Sequence, residues 1–202
     1  MNKRCVVARS AMLMLALSVS ARALTAQNAS TAAATAPTTA PTADPADVAS
    51  MDAIVCALYA SISGPKGMKR DFARLRTLMA PEARFVPTGR AADGTHRYRS
   101  WSIDEYITAA GPGLETSGFF ESEIGRTTTS FGNVWHIMSA YDSKRTLEDE
   151  KPFQRGVNSI QLLNGGTRWY IMSVMWDAER DDLSIPASLL AAPPAPSCRK
   201  SY

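Results

Sequence analysis

The sequence predicts an α+β domain in which a strongly curved, mainly antiparallel sheet wraps around three helices of the N-terminal half. Three observations predict it. Apolar residues recur at helical spacing through residues 46–80, the period changes to two from residue 119 onward, and the turns Gly132-Asn133 and Asn164-Gly165-Gly166-Thr167 divide the second half into four long arms. Helices followed by antiparallel strands bury both apolar surfaces when the helices pack on one face of the sheet.

Asp44-Pro45-Ala46-Asp47 reads as a helix start, with a carboxylate cap, proline at the first helical position and an acid in the first turn. Val48, Met51, Val55, Leu58 and Ile62 follow on one face, so a first helix is expected to reach Ser63, where Gly64-Pro65 ends it. Asp71 caps a short second helix carrying Phe72, Leu75, Leu78 and Met79, closed by Pro81. Residues 83–87 form a short strand ending at Pro87, which suits a sheet edge, and residues 96–101 form another beyond the loop 89–95. Ser102-Ile103-Asp104-Glu105 is a capping box that opens the third helix, and Gly111-Pro112-Gly113 interrupts or ends it. The four long strands are expected at 119–131, 134–146, 155–163 and 168–177.

Ahead of this domain, Lys3, Arg4 and Arg9 precede the apolar run 11–19, and Ala21-Arg22-Ala23 supplies a small-x-small cleavage pattern. Residues 1–23 are therefore expected to be a signal peptide, cut after Ala23 or Ala26, and the run is too short for a stable membrane anchor. The expected location is the periplasm or the exterior. Of 22 Lys and Arg, the leader takes Lys3, Arg4, Arg9 and Arg22, which leaves 18 against 19 Asp and Glu. A chain so balanced lacks the basic surplus of a nucleic-acid binder. Residues 24–45, rich in Ala, Thr and Pro, read as a disordered spacer, 46–185 as the domain, and 186–202 as an irregular tail. Cys56 and Cys198 remain after cleavage, either free or paired.

Leu78-Met79-Ala80-Pro81-Glu82-Ala83-Arg84-Phe85 and Arg168-Trp169-Tyr170-Ile171, taken with the element order, resemble the nuclear transport factor 2-like superfamily over residues 47–185. Ile62-Ser63-Gly64-Pro65, Gly118-Phe119-Phe120-Glu121 and Asn158-Ser159-Ile160-Gln161-Leu162 look like an exported bacterial subgroup of it. The resemblance implies a cystatin-like cone, a bent sheet around helices with a pocket at the wide end. The superfamily includes ketosteroid isomerase, scytalone dehydratase, SnoaL-like cyclases and proteins that only bind or dimerise, so it implies no single reaction.

Pairing around Gly132-Asn133 with strict alternation places Val134, His136, Met138 and Ala140 on one face with Thr129, Thr127 and Glu123. His136 beside Glu123 or Tyr141 is then a candidate general base; alternatively it is satisfied by one hydrogen bond. In the second hairpin, alternation groups Ser159, Gln161, Tyr170, Met172 and Trp176, and separates them from Asn158, Ile160, Trp169 and Ile171. Ser159, Gln161 and Trp176 are candidate ligand contacts, with a dimer interface as the rival reading. Tyr59 and Tyr106 offer hydroxyls to the same cavity or fill the core. Asp177, Glu179, Asp181 and Asp182 lack calcium-loop spacing, no Cys/His spacing suggests zinc, and no glycine pattern suggests a nucleotide, so neither metal nor cofactor is expected.

The reading that follows is an exported, small-molecule-binding domain, expected as a homodimer, with an apolar pocket and an undefined reaction. Its rivals are a cofactor-independent isomerase, dehydratase or cyclase using His136, and an interaction module with a filled cone. The reading requires a hollow, and the small-molecule account is to be abandoned if the layer is flat or solid-packed or if His136 and Gln161 both look away from any hollow.

Overall fold

The structure, a computed structural model, describes residues 42–191 of 202. The expected leader, residues 24–41 of the spacer, and residues 192–202 with Cys198 lie outside the described residues.

Asp44 caps only one turn. Its carboxylate accepts from the Ala46 N–H at 2.9 Å, a 3-10 helix runs over Pro45–Val48, and Ser50 then caps α1 (Met51–Ile62) by accepting from the Ala53 N–H at 3.0 Å. The single first helix of the sequence reading is thus two pieces, because Ser50 takes the extended cap conformation and restarts the ladder. Ile54, Val55, Ala57, Leu58, Tyr59, Ser61 and Ile62 are all buried, more than one face's worth, as befits a helix enclosed by a sheet. Cys56 is disulfide-bonded.

α2 (Phe72–Leu78) starts at Asp71 as expected. α3 (Ile103–Ser117) has both halves of its capping box, but Gly111-Pro112-Gly113 does not end it. The helix continues through Pro112, and Gly111 lies so close to the Phe72 ring that a Cβ there would sit 3.1 Å from it.

The sheet is curved and unclosed, with order β2-β1-β6-β5-β4-β3, comprising β1 (Met79–Arg90), β2 (His96–Tyr98), β3 (Phe120–Phe131), β4 (Val134–Lys144), β5 (Gln154–Asn164) and β6 (Trp169–Ala178). β1 pairs parallel with β6, and every other pair is antiparallel. The expectation of an edge strand ending at Pro87 is corrected. β1 is longer and lies between β2 and β6, while the three-residue β2 takes the edge. Pro87 offers no N–H, but it is the register partner of Trp176, and the neighbouring Thr88 hydroxyl donates to the Trp176 carbonyl at 2.8 Å.

Two bulges set which side of the sheet Glu123 and Trp176 face. One shifts the β3–β4 register between Glu123 and Gly125, the other the β5–β6 register between Gln161 and Leu162. Each adds a residue on one strand and so reverses the faces beyond it. On the concave side, Ile54, Leu75, Leu78, Ile137, Ile160 and Ile171 form the fully buried centre of the core. On the convex side a smaller cluster joins Ala140, Ile185 and Leu189, with α4 (Ala187–Leu190) laid across β3. Gly125 permits that contact, since a Cβ on it would collide with the Leu189 carbonyl.

Candidate functional site

A hollow of about 190 Å³ lies between α1, α3 and the concave face of the sheet. α1 contributes Leu58, Tyr59 and Ile62; α3 contributes Tyr106, Ala110 and Leu114; the sheet contributes Phe85, Glu121, Tyr141, Asn158, Val174 and Trp176. Phe119 and Gln154 complete the lining. The spacings follow from geometry, steps of three or four on the helices and alternation on the strands. Tyr106 is fixed by its neighbours: it stacks on Phe85 at 4.2 Å between centroids and meets the edge of Trp176 at 6.3 Å. Phe119 packs edge-on against Phe153 at 6.2 Å, and Phe153 in turn carries the Arg145 guanidinium 3.7 Å over its ring.

One carboxyl stands in this apolar wall. Glu121 is 7% exposed, and its two oxygens accept from Asn158 Nδ2 at 3.2 Å and Ser143 Oγ at 3.1 Å. Burial pushes its pKa from the ordinary 4.5 to about 7; the two hydrogen bonds pull the other way, and Asp142 adds to the rise. A second buried carboxylate, Glu123, is held quite differently. Arg126 forks onto it at 2.6 and 3.0 Å, Ser139 Oγ donates to it at 2.6 Å, and Arg126 reaches Asp52 at 2.7 Å.

Tyr59 links the two acids. Its hydroxyl lies 2.7 Å from Ser139 Oγ and accepts from Asn158 Nδ2 at 3.0 Å. Because Ser139 gives its proton to Glu123, the proton between Tyr59 and Ser139 belongs to Tyr59. The Asn158 amide therefore directs its N–H groups at Tyr59 and at Glu121, which fixes its orientation. Burial raises the pKa of Tyr59, Tyr106 and Tyr141, with Glu121 raising each further, so all three remain neutral phenols.

Of the residues expected from sequence to form a site, Tyr59, Tyr106, Tyr141 and Trp176 do line the hollow. Glu123 shares the concave face with its register partner Tyr141 but is bound up by Arg126 and Ser139. His136 is not brought to either. It pairs with Thr129 and Gln161 and bonds through Nε2 to Ser159 Oγ at 2.9 Å, on the convex face. The expected His136–Glu123 pair fails because the bulge at Ile124 turns Glu123 to the other side of the sheet. The expected grouping of Ser159, Gln161 and Trp176 fails as well. Trp176 is the partner of Asn158 and faces inward, while Ser159 and Gln161 face outward with His136. His136 and Gln161 thus both look away from the hollow, which is the outcome that removes the small-molecule account as the sequence framed it, and the site drawn around them is withdrawn with it. Three of the four acidic residues at and after the end of β6 are paired, Asp177 and Asp182 with Arg180, and Glu179 with Arg155.

Sequence reasoning missed Glu121, Asn158, Ser139 and Ser143. The available signal was two glutamates at alternate positions in a strand opening Phe119-Phe120, an arrangement that buries both if it buries either.

An unclosed six-stranded sheet curled around helices, with its hollow between the helices and the concave face, is the cone that the resemblance implied. The observed architecture is α+β, a mixed six-stranded sheet that is curved and unclosed. No family model matches the chain, and no curated protein does. Among solved structures, this chain is similar to a protein of unknown function with a cystatin-like fold from Nostoc punctiforme, with a TM-score of 0.46, 12% identity and coverage of 65% of this chain and 91% of that one. It is also similar to a nuclear transport factor 2-like protein of unknown function from Silicibacter pomeroyi (TM-score 0.44, 15% identity, 65% and 94% covered). A third, from Cytophaga hutchinsonii, gives a TM-score of 0.44 at 12% identity, with 62% and 94% covered. None of these likenesses carries an activity over to this chain.

Proposed function

We propose that this domain binds a small, mostly apolar molecule in the hollow between α1, α3 and the sheet, with Glu121 and Asn158 meeting its polar group. The observation that carries the reading is the hollow of about 190 Å³ with a carboxyl set in its largely aromatic wall. A cavity of about 150 Å³ lined by apolar side chains accommodates benzene, so this one suits a single-ring compound. The reading rests on Glu121 and not on His136 or Gln161. Export through the leader, with the periplasm or exterior as destination, and a homodimer formed through the convex face belong to the same proposal.

The test is mass spectrometry of molecules that co-purify with the exported protein, repeated on Ala110→Phe, which fills the hollow. Recovery of one compound from the native chain and its loss from the variant is expected. An empty native protein that also gives no chemical-shift changes with single-ring fragments would remove the proposal.

A second reading is favoured by one observation: a carboxyl near pKa 7 exchanges protons with a substrate at neutral pH. On that reading the domain is a cofactor-independent isomerase, dehydratase or cyclase with Glu121 in the role sequence assigned to His136. It requires kcat/KM to titrate near pH 7 and to collapse in Glu121→Gln while the ligand still binds.

A further inference from the structure

The far end of the β1–β2 hairpin, residues 88–98, contributes neither to the lining of the hollow nor to either hydrophobic cluster. Its hydrogen bonds show which main-chain groups of β2 are in use. Phe85 and Trp101 exchange both bonds at 2.9 Å, the Arg99 N–H donates to the Pro87 carbonyl at 3.1 Å, and the Ala91 N–H donates to the Thr95 carbonyl at 2.9 Å. Residues 95, 97, 99 and 101 therefore turn their main chain toward β1. By antiparallel alternation His96, Tyr98 and Ser100 turn theirs to the open edge of the sheet. All three are exposed.

The side chains alternate as well. Arg97 and Arg99 project on one side of the strand, His96 and Tyr98 on the other. Both arginines are exposed, and among the described residues neither makes an ion pair, whereas the neighbouring Arg90 is taken by Asp182. Tyr98 is 70% exposed. A groove of about 410 Å³ follows the hairpin, lined among others by Arg97, Arg99, Tyr98 and Trp101.

We propose that the β2 edge receives an extended peptide as an added strand, with acidic residues at two alternate positions set against Arg97 and Arg99. The charge of the partner follows from the two arginines left without counter-ions. Its being a peptide follows from the outward main-chain groups of 96, 98 and 100, which a strand matches and a nucleic acid does not. The register gives the motif: the residues opposite 97 and 99 are two apart on one side, and the one between them faces Tyr98. The partner reads acid, apolar, acid.

The experiment titrates the full chain with a capped Thr-Glu-Val-Glu-Val-Glu-Thr peptide by calorimetry. Its comparators are the same composition with contiguous acids, the peptide with alternate amides N-methylated, a lysine-for-glutamate version, and a single-stranded oligonucleotide. The alternating peptide is expected to bind, permutation or N-methylation to weaken it about tenfold or more, and the oligonucleotide not to bind. Arg97→Glu with Arg99→Glu is expected to lose the acidic peptide and gain the lysine one, with unchanged Tm; Arg97→Gln with Arg99→Gln repeats the loss without charge reversal. No binding by the alternating peptide, equal binding by the permuted or methylated forms, or equal binding by the oligonucleotide would overturn the proposal. So would variants that merely aggregate with peptide binding intact, since the arginines would then serve only to keep the edge from pairing with other chains.

Discussion

The Tyr141 phenol occupies the space above Gly156, its register partner on β5. A Cβ at 156 would collide with the phenol oxygen and with the main-chain carbonyl of Asp177, so the glycine decides where one wall of the hollow stands. Gly156→Ala forces the ring or the strand to move. The expected cost is about 1–3 kcal/mol, typical of overpacking, with weaker retention of any bound molecule. Urea unfolding and a near-ultraviolet spectrum of the tyrosines check it; an unchanged midpoint would mean that Tyr141 moves aside freely.

Glu121 makes the domain less stable as pH rises. Its carboxyl ionises near 4.5 in the unfolded chain and near 7 in the folded one, so the folded state holds the extra proton between those values. Stability from this group is therefore full below about pH 4.5, falls through the window up to about pH 7, and stays lower above it, by roughly 3 kcal/mol if the whole difference is expressed. Glu121→Gln should flatten that slope and raise stability at pH 8 while changing little at pH 4. Denaturant curves at the two pH values give the answer, and a variant less stable at pH 8 would contradict the assignment.

Periodicity carried the fold. Helical spacing located α1 and α2, the capping box located α3, and the two turn sequences located β3 to β6 within a few residues. The site was only half legible. Tyr59 and Tyr106 lie on helices whose phase the apolar residues set, and each both lines the hollow and packs in the core, the two places the sequence left open for them. Glu123 and Trp176 lie on strands where phase depends on counting by two, and the residue inserted at each bulge, Ile124 or Met172, breaks the count, while His136 and Gln161 lie on strands whose count is unbroken but whose alternation alone does not say which face is concave. No residue type announces those bulges. Gly125 follows the first, but its evident purpose is the approach of Leu189 on the convex face. Pro112 misled in the opposite sense, since a helix tolerates it when tertiary contacts such as Gly111 against Phe72 hold the surrounding turns.

Glu123 and Arg126 are both buried, and each leaves the other unpaired if it is removed. Arg126→Met or Glu123→Gln alone should cost about 3–5 kcal/mol, because a charge remains without its counterpart in a poorly solvated place. The double change Glu123→Gln with Arg126→Met should cost clearly less than the two single changes added together. A double-mutant cycle measures the difference. Additive costs would show that Asp52, which is half exposed and also bonds Arg126, is the arginine's principal partner.

Arg70 should prove the most sensitive single position near the rim of the hollow. Its guanidinium is buried and donates to the main-chain carbonyls of Ile62, Gly64, Pro65, Met68 and Leu114. It therefore joins the last turn of α1, the loop after it and the last turns of α3, and two of those carbonyls belong to residues that line the hollow. The same loop is tied to the start of β3, where Gly64 and Phe119 exchange main-chain bonds at 2.7 and 3.0 Å. Arg70→Met preserves the apolar stem and leaves several buried acceptors unsatisfied, at about 1–3 kcal/mol for each one that water does not reach. Arg70→Lys keeps a charge but offers three donors from one nitrogen in place of a planar fork, so it should recover part of the loss and not all of it. The expected order of stability in urea is native, then Arg70→Lys, then Arg70→Met, with hydrogen exchange in residues 64–68 and 114–119 accelerated in the same order. Equal stability of the two variants would locate the contribution of Arg70 in its stem and not in its hydrogen bonds.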